Sequence, residues 1–187
     1  MTKTSTVAET NSLIIFCTGT IESAIFPLGP EGSQVLCRFE IVAGRNWEFI
    51  SGVNKGISQG SMPKHISDKI VFNLPFECVY RSCNPFGWPQ ILICIYAKNV
   101  WSVETTLGYC WVHLPIIGSG AVNTSQPIRI PKDTTIMGEL STWITSKNAE
   151  LKNPKVLLES YKNKDFLSME KSGELKLSLQ TLCREKN

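Results

Sequence analysis

The chain has 187 residues, 42% of them hydrophobic, and a formal net charge of +3; a chain of that length can bury about 70% of its unfolded surface, which suits one globular domain and excludes a disordered or fibrous one. The charge excess is confined: residues 1–146 carry ten Lys/Arg against ten Asp/Glu, and residues 147–187 nine against six. Bases interleaved with acids are a solvated surface, which excludes the clustered basic footprint of a nucleic-acid binder. Every apolar run falls far short of the about 20 residues that a spanning helix needs, and no export or lipidation signal is legible. Seven cysteines, an odd number, then lead to the expectation of free thiols in a reducing, cytoplasmic setting.

In chain order, residues 1–11 are polar and read as a flexible segment, followed by one folded domain over 12–183 and a flexible end at 184–187. Val35, Cys37, Phe39 and Ile41 alternate with Arg38 and Glu40, as in a half-buried strand. Residues 52–60 read as a glycine-spaced loop. Ile70, Phe72, Leu74, Phe76, Cys78 and Tyr80 share one parity, with Asn73, Glu77 and Arg81 on the other. A turn follows, built from Asn84, Pro85, Gly87, Trp88 and Pro89; proline fixes its own φ and biases the preceding residue toward extended backbone, so the indole is locked into a rigid corner. Residues 91–97 are apolar on both parities, as expected of a central strand or one covered on its outer face. Ile136, Leu140, Trp143 and Ile144 share a helical face, which predicts a short helix near residues 135–146, with Gly138 costing it about 1 kcal/mol. A polar connection with a short strand at 156–158 follows, and Leu175, Leu177 and Leu179 alternate with polar residues in a closing strand. Short strands punctuated by Gly and Pro predict an all-β antiparallel sandwich.

Chemistry is hard to find. Cys110 and His113 are spaced like metal ligands, but residues three apart on a strand point to opposite faces, and Cys78 and Cys83 share the difficulty. They read as small buried hydrophobes. Calcium takes six to eight oxygens, whereas Asp68, Asp133 and Asp165 are far apart and Glu48 and Glu104 read as isolated loop acids. Neither His65 nor His113 stands in a nucleophilic constellation, and no glycine-rich loop opens a helix, so no catalytic residue and no cofactor are expected. Among the tryptophans, Trp47 and Trp101 are flanked by polar residues and are candidates for exposed partner contacts. Trp88 reads either as a structural corner or as an interface anchor.

Several strings resemble one family. They are the Asn84-Pro85-Phe86-Gly87-Trp88-Pro89-Gln90 corner, Gly19 with Ile21, Glu22, Ser23, Ala24 and Phe26, Leu36-Cys37-Arg38-Phe39 followed by Trp47, and Gly52, Gly56, Ser58 and Gln59. Asn73 with Pro75, Gly108-Tyr109, and His113-Leu114-Pro115 complete the set, while Cys110 and Phe72 stand where glycine and tryptophan are common. From about Phe16 to Leu182 the chain resembles the B9-domain family, C2-like β-sandwich modules of the ciliary transition zone. The resemblance implies a non-enzymatic structural subunit that assembles with other B9-domain proteins in a hetero-oligomeric complex at the basal body. Such a complex supports ciliogenesis and gates membrane-protein entry into the cilium, in peripheral contact with the ciliary membrane. The alternative it implies is a calcium-independent C2-type module that binds membrane lipid. It implies no calcium, nucleic acid or catalytic residue.

Overall fold

The structure is a computed structural model and describes residues 12–27, 30, 32–63, 69–116, 121–132, 150–158 and 168–186. The helix expected near residues 135–146 and the segment 1–11 lie outside the described residues. The described elements are β1 (Ser12–Ile25), β2 (Gln34–Val42), β3 (Trp47–Gly52), β4 (Lys55–Ile57), β5 (Lys69–Ser82), β6 (Gln90–Lys98), β7 (Glu104–His113), β8 (Val122–Pro131), a 3₁₀ turn (Pro154–Leu157) and β9 (Met169–Lys186). The strands join in one antiparallel sheet in the order β3-β5-β1-β9-β8-β7-β6-β2-β4. Between β7 and β8 the ladder narrows to a single register pair, Tyr109 with Arg129. At that seam the sheet curls over, setting β3-β5-β1-β9-β8 against β7-β6-β2-β4 as two layers.

The alternation read from the sequence decides which residues enter between the layers. Val35, Cys37, Phe39 and Ile41 of β2, Ile91, Ile93 and Ile95 of β6, Phe76, Cys78 and Tyr80 of β5, and Leu175, Leu177 and Leu179 of β9 form one buried cluster. Phe39 and Phe76 meet across it with ring centroids 5.2 Å apart. On the side where the two sheet edges approach, residues 53 and 54 carry the chain from β3 to β4 and tie both layers. There the Val53 N–H donates to Glu77 O and the Ile41 N–H to Asn54 O, each at 2.7 Å.

Four features differ from the sequence reading. The expected loop over residues 52–60 contains the end of β3 and all of β4, short edge strands whose few residues carry little periodicity. β8 was not legible, because Gln126, Pro127 and Arg129 interrupt its alternation. The strand expected at 156–158 is instead part of the 3₁₀ turn: Pro154 opens it, and the Asn153 side chain accepts from the Lys155 N–H at its start. Last, β9 runs past the boundary drawn at 183, because Ser12 and Leu13 of β1 offer Lys186 and Glu185 partners.

β6 is buried on its inner face and partly covered on its outer one. Leu92 is buried on the outer face. With Cys94 and Tyr96 it lines a groove of about 480 Å³ whose other wall includes Asn153, Pro154 and Lys155. The Leu151 N–H donates to the buried Tyr109 hydroxyl at 3.0 Å, and Lys155 Nζ pairs with Glu40 at 2.9 Å. The chain itself thus supplies part of the cover for this second apolar face.

Candidate functional site

The corner between β5 and β6 is assembled by short-range bonds that its residue types permit. Asn84 Oδ1 accepts from the Phe86 N–H at 2.9 Å, the local side-chain turn that asparagine favours. The Ser82 hydroxyl accepts from the Asn84 N–H at 3.0 Å and lies 2.6 Å from Asn84 O and 2.8 Å from Asn46 O, donating to one of them. Gly87 takes φ +73°, and its Cα lies so near Gly44 that a Cβ built on Gly87 would stand 2.7 Å from Gly44 Cα. The Gly44 N–H donates to Gly87 O at 2.8 Å. Two loops can therefore touch backbone to backbone only because both carry glycine.

Trp47 and Trp88 fill the space beneath. Their rings meet edge-on at 5.2 Å and 84°. The Trp47 Nε1–H donates to Phe86 O at 3.1 Å and the Trp88 Nε1–H to Leu114 O at 2.8 Å. The Leu114 N–H in turn donates to Pro89 O at 3.0 Å. Three loops, after β2, β5 and β7, are thereby locked at one end of the sandwich. Trp47 is buried with the core, against the expectation that its polar neighbours leave it exposed; it opens β3 and turns inward. Trp88 is half-buried against the core. Phe86, between Pro85 and Gly87 at the turn's apex, projects into solvent; the sequence reading includes it in the corner string but not among the candidate contacts.

Trp101 does not join this group. It lies in the loop between β6 and β7, at the opposite end of β6, about 27 Å away at the usual strand rise. There Asn99 Oδ1 accepts from the Trp101 N–H at 3.0 Å and the Val103 N–H at 2.9 Å. Ser102 adopts φ +64°, a left-handed conformation uncommon outside glycine. The result is an internally braced loop that holds Trp101 81% and Val100 82% exposed. Val100, like Phe86, is a residue that a loop tip flanked by Asn could have flagged.

The side chains with chemical potential are dispersed. Cys110 faces the core while His113 is exposed, so the pair does not converge. No group of three or more His, Cys, Asp or Glu converges among the described residues. Glu48 and Glu104, expected as isolated loop acids, sit in β3 and β7 and pair with arginines: Glu48 with Arg81 at 2.7 Å and Glu104 with Arg38 at 2.8 Å. The expected-acid positions 68, 133 and 165, and His65, lie outside the described residues. Burial pushes the Cys110 thiol up to about 12 and the Cys94 thiol up to about 11. Cys17 and Cys78 face each other across β1 and β5, fully buried; hydrogen bonding between them lowers Cys17 and raises Cys78. Glu40 gathers Lys55 at 3.0 Å and Lys155 at 2.9 Å. Its burial raises its pKa, but hydrogen bonds from Lys155 and Lys55 outweigh that and hold the carboxyl below its usual range. The arrangement combines paired charges, buried thiols and locked loops.

Comparison with known proteins matches this scaffold to a family. The profile of the family described as "Ciliary basal body-associated, B9 protein" (B9-C2) matches residues 15–182. B9 domain-containing protein 1 of Drosophila melanogaster is 42% identical over 173 residues, which cover 89% of this chain and 71% of that protein. The Homo sapiens protein of the same name is 29% identical over 153 residues, 81% of this chain and 73% of that one. B9 domain-containing protein 2 of Drosophila melanogaster is 28% identical over 83 residues, 44% and 46% of the two chains. A solved C2 domain of a plant extended synaptotagmin 1 overlays with a TM-score of 0.49 at 8% identity, over 89% of this chain and 92% of that one, a likeness too slight to bear on function. With the profile match running from inside β1 to inside β9 and enclosing both the glycine-paired corner and the two-layer core, the chain belongs to the B9-domain family and folds as a C2-like antiparallel β-sandwich.

Proposed function

We propose that this chain is a non-enzymatic structural subunit of a complex of B9-domain proteins at the ciliary transition zone and basal body. In this reading the complex lies on the cytoplasmic side of the cilium base, supports ciliogenesis and gates the entry of membrane proteins. The single observation that carries the reading is the family match over residues 15–182, under a description that names the ciliary basal body. Two classes of B9 domain-containing protein in one organism, Drosophila melanogaster, support sister subunits as the partners. The geometry is compatible, because the corner residues Asn84, Pro85, Gly87, Trp88 and Pro89 brace a scaffold and do not converge on a reacting centre. The test is to purify the chain alone and with Drosophila B9 domain-containing protein 2, comparing elution volume and melting temperature, and to image the tagged chain against a basal-body marker in ciliated cells. A monomer that gains neither mass nor stability, and a diffuse signal in cells that build normal cilia without the protein, overturn the reading.

A second reading, calcium-independent binding of membrane lipid, is favoured by one observation: the braced loop that exposes Val100 and Trp101. Aromatic and aliphatic side chains at a protruding tip suit the bilayer interface. Co-sedimentation with anionic vesicles at low and high salt tests it, and Trp101→Ala must then abolish the salt-resistant part. Equal sedimentation of parent and variant refutes it.

A further inference from the structure

The outward faces of the two layers are dressed differently. Over β6 and β7 the outward Leu92 and Tyr109 are buried and Cys94, Tyr96 and Trp111 half-buried, with residues 151–155 supplying part of the cover. On the other layer an apolar row stays open: register places Val79 of β5, Phe16 of β1 and Leu182 of β9 side by side. Phe16 is 37% and Leu182 59% exposed. The next row along the same face reads Arg81, Ile14, Arg184. The outward face of an antiparallel sheet is ordinarily polar, and three aligned strands carrying an aromatic-aliphatic row edged by arginines have the composition of an interface centre.

We infer that this outer face of β5, β1 and β9 is a docking surface for another protein, one that presents a flat apolar strip with a carboxylate opposite Arg184. The inference rests on the assembly reading above and assigns it a surface. Charge names the partner's chemistry. Arg81 already pairs with Glu48, whereas no carboxylate pairs with Arg184 among the described residues. The two arginines stand two strand spacings apart, about 10 Å, so a matching acid meets Arg184 while apolar groups cover Phe16 and Leu182. A second copy of this chain is a poorer source of that acid. A two-fold axis along β1 lays Arg184 on the other copy's Arg81, one along the apolar row lays it on Gln180, and the diagonal axis that brings Glu77 opposite Arg184 lays Arg81 on the other copy's Arg81. A bilayer is disfavoured by Glu77, an exposed acid that stands beside Thr18 one row beyond Phe16.

The experiment measures binding of purified parent, Leu182→Glu, Arg184→Glu and Trp101→Ala chains to purified Drosophila B9 domain-containing protein 2 by titration calorimetry, with melting curves and gel filtration of each chain alone. Because both substituted positions are exposed, the variants should melt like the parent. Leu182→Glu and Arg184→Glu should each weaken binding about tenfold or more, while Trp101→Ala stays within about twofold. Parent binding that both variants retain within about twofold overturns the surface assignment and leaves the assembly reading standing. No binding by the parent overturns the assembly reading and this inference with it. A parent dimer that Leu182→Glu converts to monomer, or vesicle binding lost in Leu182→Glu but kept in Trp101→Ala, overturns the choice of partner.

Discussion

Removing the Trp88 indole should loosen the whole corner. A fully buried tryptophan contributes 150–250 Å² of contact surface, and half of that, about 100 Å² at about 25 cal/mol per Å², is worth about 2.5 kcal/mol. The edge-on contact with Trp47 at 5.2 Å adds about 1 kcal/mol, and the bond to Leu114 O at 2.8 Å about 1 more. Since burial figures of this kind are upper bounds, Trp88→Ala should cost about 3–4 kcal/mol and lower the melting temperature by about 10 °C for a chain of this length. Trp88→Phe, which keeps a ring but loses the N–H, should fall between. Circular dichroism melts and urea titrations of parent, Trp88→Ala, Trp47→Ala and the double variant measure both the cost and the coupling of the pair. If Trp88→Ala melts within about 2 °C of the parent and yet loses binding to a sister subunit, the indole is an interface anchor and the corner is held by its backbone bonds alone.

Glycine substitutions separate conformational strain from crowding. Gly32→Ala, at φ +68° with nothing within 4 Å of the new Cβ, should cost about 1 kcal/mol, whereas Gly87→Ala, at φ +73° and 2.7 Å from Gly44 Cα, should cost about 3 kcal/mol or abolish folding; equal costs in urea titration would refute the close-contact argument. Glu40→Gln should destabilise by a few tenths to about 1 kcal/mol near neutral pH. Because the Glu40 pKa is depressed on folding, that contribution is present above the unfolded pKa near 4.3 and disappears as pH falls through the lower folded value, so parent and variant stability curves should converge in acid. Maleimide should label Cys83 in the native protein while Cys17, Cys37, Cys78 and Cys110 stay silent; all seven thiols should titrate in denaturant without reductant, and finding five or fewer would refute the free-thiol reading.

The strands with strict alternation were legible because period-two burial leaves a direct trace: residues 35–41 and 70–80 point inward where their parity says. Residues 91–97, apolar on both parities, announced a central strand or one covered on its outer face; β6 lies between β2 and β7 and is partly covered outside, but the covering segment was not legible. Its contact rests on Leu151, Pro154 and Lys155, which carry no periodicity of their own. β3 and β4 were hidden because an edge strand pairs on one side only and tolerates glycines that read as loop. Trp47 shows the limit of reasoning from neighbours: Asn46 and Glu48 are polar, yet one inward position at a strand's first residue is enough to bury an indole. The corner was visible as a rigid turn from its prolines, whereas the contact of Gly87 with Gly44, some forty residues earlier in the chain, is set by tertiary approach and leaves no local signature.

The pairing of β1 with β9 has a mechanical consequence. Ser12 and Lys186 are direct register partners at the same edge of the molecule, and in an antiparallel pair tension applied through those two points loads the cross-strand bonds one after another, not all at once. A tether through both ends of the folded unit would peel β9 from β1 at low force, like a zipper, beginning at Arg184 and Leu182 and baring the β1 edge beneath. Any body clamped over Phe16 and Leu182 would straddle both halves of that zipper and resist its opening, so loading the molecule end to end reads out as a rupture force whether that face is occupied.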